Sequence, residues 1–294
     1  MWFFGGCAVN ESIASHNEGV TTQESLTPNG VSFNSLTPNG ITLNSLTPNG
    51  VTLNSLTPNG FSSTGTPIGI SGTGTPLSGA GLVGSTWVGN VSDGTTVRVR
   101  IDAAMQGTGS NADVWSYKMS ALFQGAWQTL CLDTAGNPNF ADSVSGTWNY
   151  RQGVPGGGAY TPNSSDFTIA CRGSSIAKCV ELGYKPWLGH DVQLAACVRA
   201  LRADYCGDGT PFTVNGTIIN IFDNVGIQGD TVDWTPEAAW TVDGATCVSK
   251  KKDTRFDQVA HKTPDCYPHA VKPKKSCGTE FDGDEVIITE LAPQ

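Results

Sequence analysis

Three carboxylates, Asp204, Asp223 and Glu237, and one imidazole, His190, are the groups in this sequence best placed to move protons. Two such carboxylates flanking a glycosidic bond would act as acid and base or nucleophile, and they need only meet in space, not in sequence. His190-Asp191 and the many serines raise nucleophilic catalysis, but no Gly-x-Ser-x-Gly elbow stands at a strand-to-helix turn. Ser143-Val144-Ser145-Gly146 lies inside a strand pattern instead, and His190 reads as a helix-start residue. For Asp204 the structural reading is preferred: it pairs with Arg199, Arg202 or backbone amides at a helix end, with Tyr205 in the core and Cys206 bridged.

Metal chemistry has less support. Asp208-Gly209, Asp223 and Asp230 offer oxygens for a hard cation without the spacing of an EF-hand. Cys266, His269 and Cys277, with His261, offer soft ligands in no recognised zinc spacing. The expectation is no metal and no cofactor. Recognition remains: of eight tryptophans most read as core, and Trp234, between Asp233 and Thr235-Pro236, reads as the exposed one that could contact a sugar or peptide.

Nine cysteines stand at 7, 131, 171, 179, 197, 206, 247, 266 and 277. The eight from Cys131 onward form an even set without a CxxC pair, which reads as four disulfides formed in an oxidising compartment outside the cytoplasm. Eight cysteines allow 105 pairings. A Cys266–Cys277 bridge across a short loop is expected, together with one bridge from Cys171 or Cys179 to the Cys197–Cys206 segment. Cys7, in Phe3-Phe4-Gly5-Gly6-Cys7, looks like the lipid-accepting end of a bacterial lipoprotein signal. Only six residues precede it and no Lys or Arg does, so Met1 reads as a miscalled or truncated start.

The densest pattern runs from Phe167-Thr168-Ile169-Ala170-Cys171 through Ala177-Lys178-Cys179, Gly183-Tyr184-Lys185-Pro186-Trp187 and Ala196-Cys197-Val198-Arg199 to Ala203-Asp204-Tyr205-Cys206-Gly207-Asp208-Gly209. In these segments the chain resembles the ADYC-domain proteins, a bacterial group met mostly in myxobacteria and their relatives. The resemblance implies an exported or lipid-anchored envelope protein and specifies no reaction.

The elements that would position these groups follow from periodicity. Val97, Val99 and Ile101 alternate with Arg98 and Arg100; Trp115, Tyr117, Met119 and Ala121 alternate with Ser116, Lys118 and Ser120; Val144, Gly146, Trp148 and Tyr150 repeat the pattern. These are strands with one wet face. The period then becomes helical over 175–184 and 191–205, where Leu194, Cys197, Val198, Leu201 and Tyr205 share a face and Arg199 and Arg202 turn elsewhere. Lys185-Pro186-Trp187 breaks the two into a helical hairpin. Phe212 to Phe222 reads as a β-hairpin turning at Asn215-Gly216, and 238–242 as a further strand.

Upstream, Ser-Leu-Thr-Pro-Asn-Gly recurs at Ser25, Ser35, Ser45 and Ser55, with apolar residues every five positions from Leu26 to Phe61. This resembles a pentapeptide-type β-solenoid, in which stacked coils bury what one coil cannot; ten-residue hairpins or a flexible linker are the rivals. The organisation is then 1–24 tether or export remnant, 25–61 repeat, 62–84 linker or solenoid continuation, 85–165 antiparallel β module, 166–248 Cys-rich ADYC-type region, and 249–294 basic, weakly structured tail. The fold class is α+β.

Net charge is −9, with 17 Lys and Arg against 26 Asp and Glu, which disfavours nucleic acid as a partner. No segment approaches the roughly 18 apolar residues of a membrane span, so membrane contact is expected only through a lipid at Cys7. The reading is an exported envelope protein of the binding or structural kind with an envelope polymer or protein as partner; the alternative is an extracytoplasmic hydrolase using the carboxylates named above.

Overall fold

The computed structural model describes residues 20–23, 57–61, 66–70, 75–90, 96–123, 125–133, 135–162, 167–268 and 277–293. Cys7 and the repeat up to residue 56 lie outside them. Strand β1 (Val20–Gln23) is followed by a small sheet of β2 (Thr57–Phe61), β3 (Pro67–Ile70) and β4 (Pro76–Ser78).

The alternating segments form a six-stranded antiparallel sheet from β5 (Thr86–Asn90), β6 (Thr96–Gln106), β7 (Trp115–Phe123), β8 (Ala126–Thr129), β9 (Ala141–Ser145) and β12 (Phe167–Cys171). Val99 opposes Ala121 and Ile101 opposes Met119, so the apolar set lines one face and packs with Leu82, Trp87, Tyr117 and Ile169. Burial of each large side chain contributes about 1.5–3 kcal/mol. Gly146 separates β9 from β10 (Thr147–Trp148), which pairs with β11 (Tyr160–Thr161). Its φ is +90° and a Cβ there would come within 2.5 Å of Tyr160, so glycine is required where the chain leaves the sheet.

Helix α1 (Ser175–Glu181) is capped by Ser174, whose hydroxyl accepts from the Ala177 amide. Helix α2 (Asp191–Arg202) carries an acid in its first turn and two arginines in its last. Both are shorter than their periodicity suggests; α2 stops because Ala203 adopts a left-handed backbone with φ 53°. Leu194, Cys197, Val198 and Leu201 are buried as expected, but Arg199 and Arg202 are buried as well, at 3% and 1% exposure, rather than turned away from the core.

A second, five-stranded sheet has the order β1-β13-β16-β14-β15, built from β13 (Thr217–Asp223), β14 (Thr235–Thr241), β15 (Gly244–Val248) and β16 (Ile287–Leu291). Two expectations change here. Residues 211–214 form no strand, and β13 pairs with β1 and β16, so the Phe212–Phe222 hairpin is not formed; Asn215-Gly216 makes a turn closed by the Thr217 amide on the Val214 carbonyl. The segment expected as a solvated tail supplies the sheet's middle strand, β16, together with a short helix, α3 (Arg255–Gln258). Its Ile-Ile-Thr-Glu-Leu sequence is an interior strand because all five residues are buried between two partners. Helix α2 packs on this sheet through a core that includes Ile219, Ile221, Trp240 and Ile287. The whole is α+β.

Four disulfides close the fold: Cys131–Cys171, Cys179–Cys197, Cys206–Cys266 and Cys247–Cys277. The bridge from Cys179 to the second helix is as expected. The Cys266–Cys277 pairing is not made, because each of these residues instead fastens the C-terminal segment to a different site, the turn after α2 and strand β15. The same bonds remove Cys266 and Cys277 from consideration as zinc ligands. Four such bridges fit an oxidising, extracytoplasmic setting. Among the described residues no helix is long and apolar enough to cross a membrane.

Candidate functional site

The four residues Ala203 to Cys206 each perform one structural task. Ala203 ends α2. Asp204, 1% exposed, accepts from Arg199 Nη1, from the Gly209 amide at 2.9 Å and from the Asp208 amide at 3.2 Å. Arg199 also donates to the carbonyls of Gly157 (2.6 Å) and Val242 (3.0 Å), so one ion pair ties the helix end to three loops. Burial raises the Asp204 carboxyl above its ordinary value, with Arg199 pulling the other way. Cys206 carries the longest-range bridge in sequence.

Tyr205 donates to Glu237 Oε1 at 2.5 Å. Glu237 is wholly buried and also accepts from Thr289 Oγ1 (2.9 Å), the Arg255 amide (2.9 Å) and the Arg255 guanidinium (2.8 Å). Arg255 spends its remaining donors on the Leu201 carbonyl and on the Ala200 carbonyl, which also accepts the Ala203 amide, in the last turn of α2. Burial opposes ionisation of Glu237, but Arg255 outweighs it and holds the carboxyl below its ordinary value. This network joins helix, sheet and C-terminal segment.

Gly183 to Trp187 does similar work between the sheets. The Tyr184 hydroxyl donates to Asp223 Oδ2 at 3.0 Å, while Lys185 Nζ and Trp187 Nε1 both donate to Asp113. Asp223 in turn accepts the amides of Val225, Ile227 and Gln228, closing the turn after β13. His190 precedes α2, half-buried, and makes no capping bond with its side chain.

These segments carry the pattern singled out in the sequence, and residues 79–254 match the family model of the ADYC domain. The chain belongs to the ADYC-domain family. No curated protein and no solved structure matches it. In this ADYC-domain protein the side chains of Asp204, Tyr205, Asp223 and Glu237 are all engaged in hydrogen bonds within the fold, and Cys206 is bridged. Asp204, Asp223 and Glu237 do not share a pocket; each is enclosed by its own partners.

Two surface features remain. One is a shallow concavity of about 400 Å³ on the five-stranded sheet, which Trp234 lines with Pro236 and three carboxylates, Asp230, Asp233 and Glu290. Asn220 donates at 2.9 Å to both Asp230 and Glu290, bringing their oxygens within about 6 Å of each other. Burial first, then the charges of Asp230 and Asp233, raise the Glu290 carboxyl. Glu290 stands some sixty residues beyond Asp230, and nothing in the linear pattern pairs them.

The other is the open face of β6, β7 and β8. Arg98 opposes Leu122, Arg100 opposes Ser120 and Leu122 opposes Trp127, so all lie on the face away from the core. Arg100 stacks over the Trp127 ring at 4.6 Å and Lys118 over the Phe140 ring at 4.9 Å. Trp127 is 38% exposed while Trp234 is half-buried, so the most open tryptophan among the described residues is Trp127 and not the one chosen from sequence. The alternation had already marked Arg98, Arg100 and Lys118 as wet; it was the return of β8 that added the indole.

Proposed function

We propose that this protein is an exported cell-envelope component of the binding kind, held at the membrane by a lipid on Cys7, with the 25–61 repeat as a solenoid-like spacer and the disulfide-bonded ADYC domain as the binding module. The observation that carries this reading is the open aromatic and cationic face around Trp127, set against carboxylates that are used up inside the fold. An open face with rings and charges suits an extended polymer or a protein partner, whereas catalysis by Asp204, Asp223 or Glu237 would require substrate to displace buried ion pairs and hydrogen bonds.

The hydrolase reading is supported by one observation, the Asp230–Glu290 pair beside Trp234, whose Asn220-bonded oxygens lie within about 6 Å of each other, a bound that admits the roughly 5–5.5 Å between the carboxyls of a retaining glycosidase. One experiment separates the readings. Disulfide-intact protein is incubated with isolated peptidoglycan and with soluble envelope polysaccharide, and cosedimentation or gel retardation is scored beside release of reducing ends and of amino groups. Retention without release is expected. Steady release, abolished in Glu290→Gln, would make the protein a hydrolase.

A further inference from the structure

We infer that the open face of β6, β7 and β8 recognises an acidic polysaccharide, a chain of hydroxylated sugars carrying carboxylates at intervals. This rests on the reading above that this face is the binding face. Three kinds of group meet there, and each answers one property of such a polymer. Arg98, Arg100 and Lys118 answer the carboxylates; a guanidinium fits a carboxylate with two parallel N–H groups. Trp127, 38% exposed, and the half-buried Phe140 answer the apolar C–H groups of a sugar ring with the ring surface that their stacked cations leave open. Asp102, bonded to Arg100 and to Ser120, keeps further lone pairs for sugar hydroxyls, and gives the face an acceptor that a purely anionic surface would not use.

Charge decides against denser anions. The chain carries −9 overall, so a nucleic acid, with one charge about every 1.7 Å along a duplex, meets long-range repulsion that three local cations do little to offset. A uronic-acid chain carries at most one charge per sugar ring, a lower linear density than that of the duplex. An anionic membrane would be met best by protruding, uncovered apolar side chains, yet here each ring carries a cation stacked over it. The three neighbouring strands, spaced about 4.8 Å apart, offer a continuous surface suited to an extended chain.

The probes are polygalacturonate, neutral dextran, phosphatidylglycerol vesicles and single-stranded DNA, each titrated into the full chain at low and high salt. Polygalacturonate is expected to bind and to weaken at high salt. The Arg98→Ala/Lys118→Ala double variant should weaken it about ten-fold, since each exposed pair contributes up to about 1 kcal/mol. Trp127→Ala should weaken it as well. Dextran bound as tightly as polygalacturonate, in a Trp127-dependent manner, would leave the binding face standing and overturn the acidic class. Tighter binding of vesicles or DNA would overturn the polysaccharide. If neither set of substitutions alters the binding of any probe, both the ligand class and the face are wrong. Circular dichroism and thiol alkylation confirm that each variant is folded with its four bridges; Arg98 and Trp127 are exposed, so neither substitution opens the core.

Discussion

Glu237 in the five-stranded sheet and Asp142 in the six-stranded sheet are both completely buried, and the two sheets treat them in opposite ways. Glu237 has the Arg255 guanidinium in contact, with Tyr205 and Thr289 donating as well. Asp142, in β9 opposite Ser116 of β7, accepts one bond from Ser116 Oγ, and its second oxygen has no hydrogen-bond partner among the described residues. Burial, followed by the charge of Glu181, pushes the Asp142 carboxyl up to about 7, while Glu237 is held below its ordinary value. The difference shows what the C-terminal segment does. It brings a cation into a core that would otherwise have to neutralise its carboxylate by protonation.

The strongest way to break the comparison is to remove the cation. Arg255→Ala leaves Glu237 buried without its cation, takes the donor from the Leu201 carbonyl and takes one of two donors from the Ala200 carbonyl; a loss of about 3–5 kcal/mol is expected in guanidinium denaturation without reductant. Asp142→Asn, with nearly the same shape, should be neutral or stabilising at about pH 8. Comparable losses in the two variants would show that the sheets do not differ.

The bridges sharpen the same contrast. Removing Cys206–Cys266 by paired serines should cost about 2–4 kcal/mol, and about 1 kcal/mol more than removing Cys179–Cys197, because the sequence separations are 60 and 18. Melting of the two double variants checks the order.

Acid should act on the two carboxylates with opposite sign. For Asp142 the folded value lies above the unfolded one, so the folded chain keeps a proton that the unfolded chain releases, and stability falls as pH rises from about 4 to about 7. For Glu237 the folded value lies below the ordinary one, so its contribution is complete above the ordinary carboxylate range and is lost as pH falls through the folded value. Asp142→Asn should therefore flatten the decline between about pH 4.5 and about pH 7.5 without altering the acid limb. The smallest effect on stability belongs to Trp127→Ala on the open face. It should cost under about 1 kcal/mol, since the indole is exposed and its stacking with Arg100 is solvated.

Much of the β module could be read directly. Val99, Ile101, Tyr117, Met119 and Ala121 declare their face by alternation, and neighbouring strands need only pair locally. The helices could be read too, through Leu194, Cys197, Val198 and Leu201. The hairpin at Asn215-Gly216 misled because the turn signal is local, while the partners of β13 come from residues 20–23 and 287–291. The candidate carboxylates misled for a related reason. Asp204 and Glu237 have the chemistry of catalysts, but Arg199 and Arg255 occupy them, and a sequence of charges does not state which pairs are closed. Trp234 does line a concavity, but Trp127 became the more open ring because β8 folds back beside β7.

By itself the sequence determined the α+β class, the oxidising setting implied by an even set of eight cysteines, the wet positions Arg98, Arg100 and Lys118, though not Ser116 and Ser120, which are buried, and membership of the ADYC-domain family. These depend on residue type and short spacing, which act through local backbone geometry. Only the tertiary structure decided which cysteines pair, that the basic C-terminal stretch supplies the middle strand and the buried Arg255, and that the Asp-Tyr-Cys segment holds the fold together. Those outcomes depend on contacts between residues tens to hundreds of positions apart, where many pairings satisfy the same local pattern and burial of the whole core selects one.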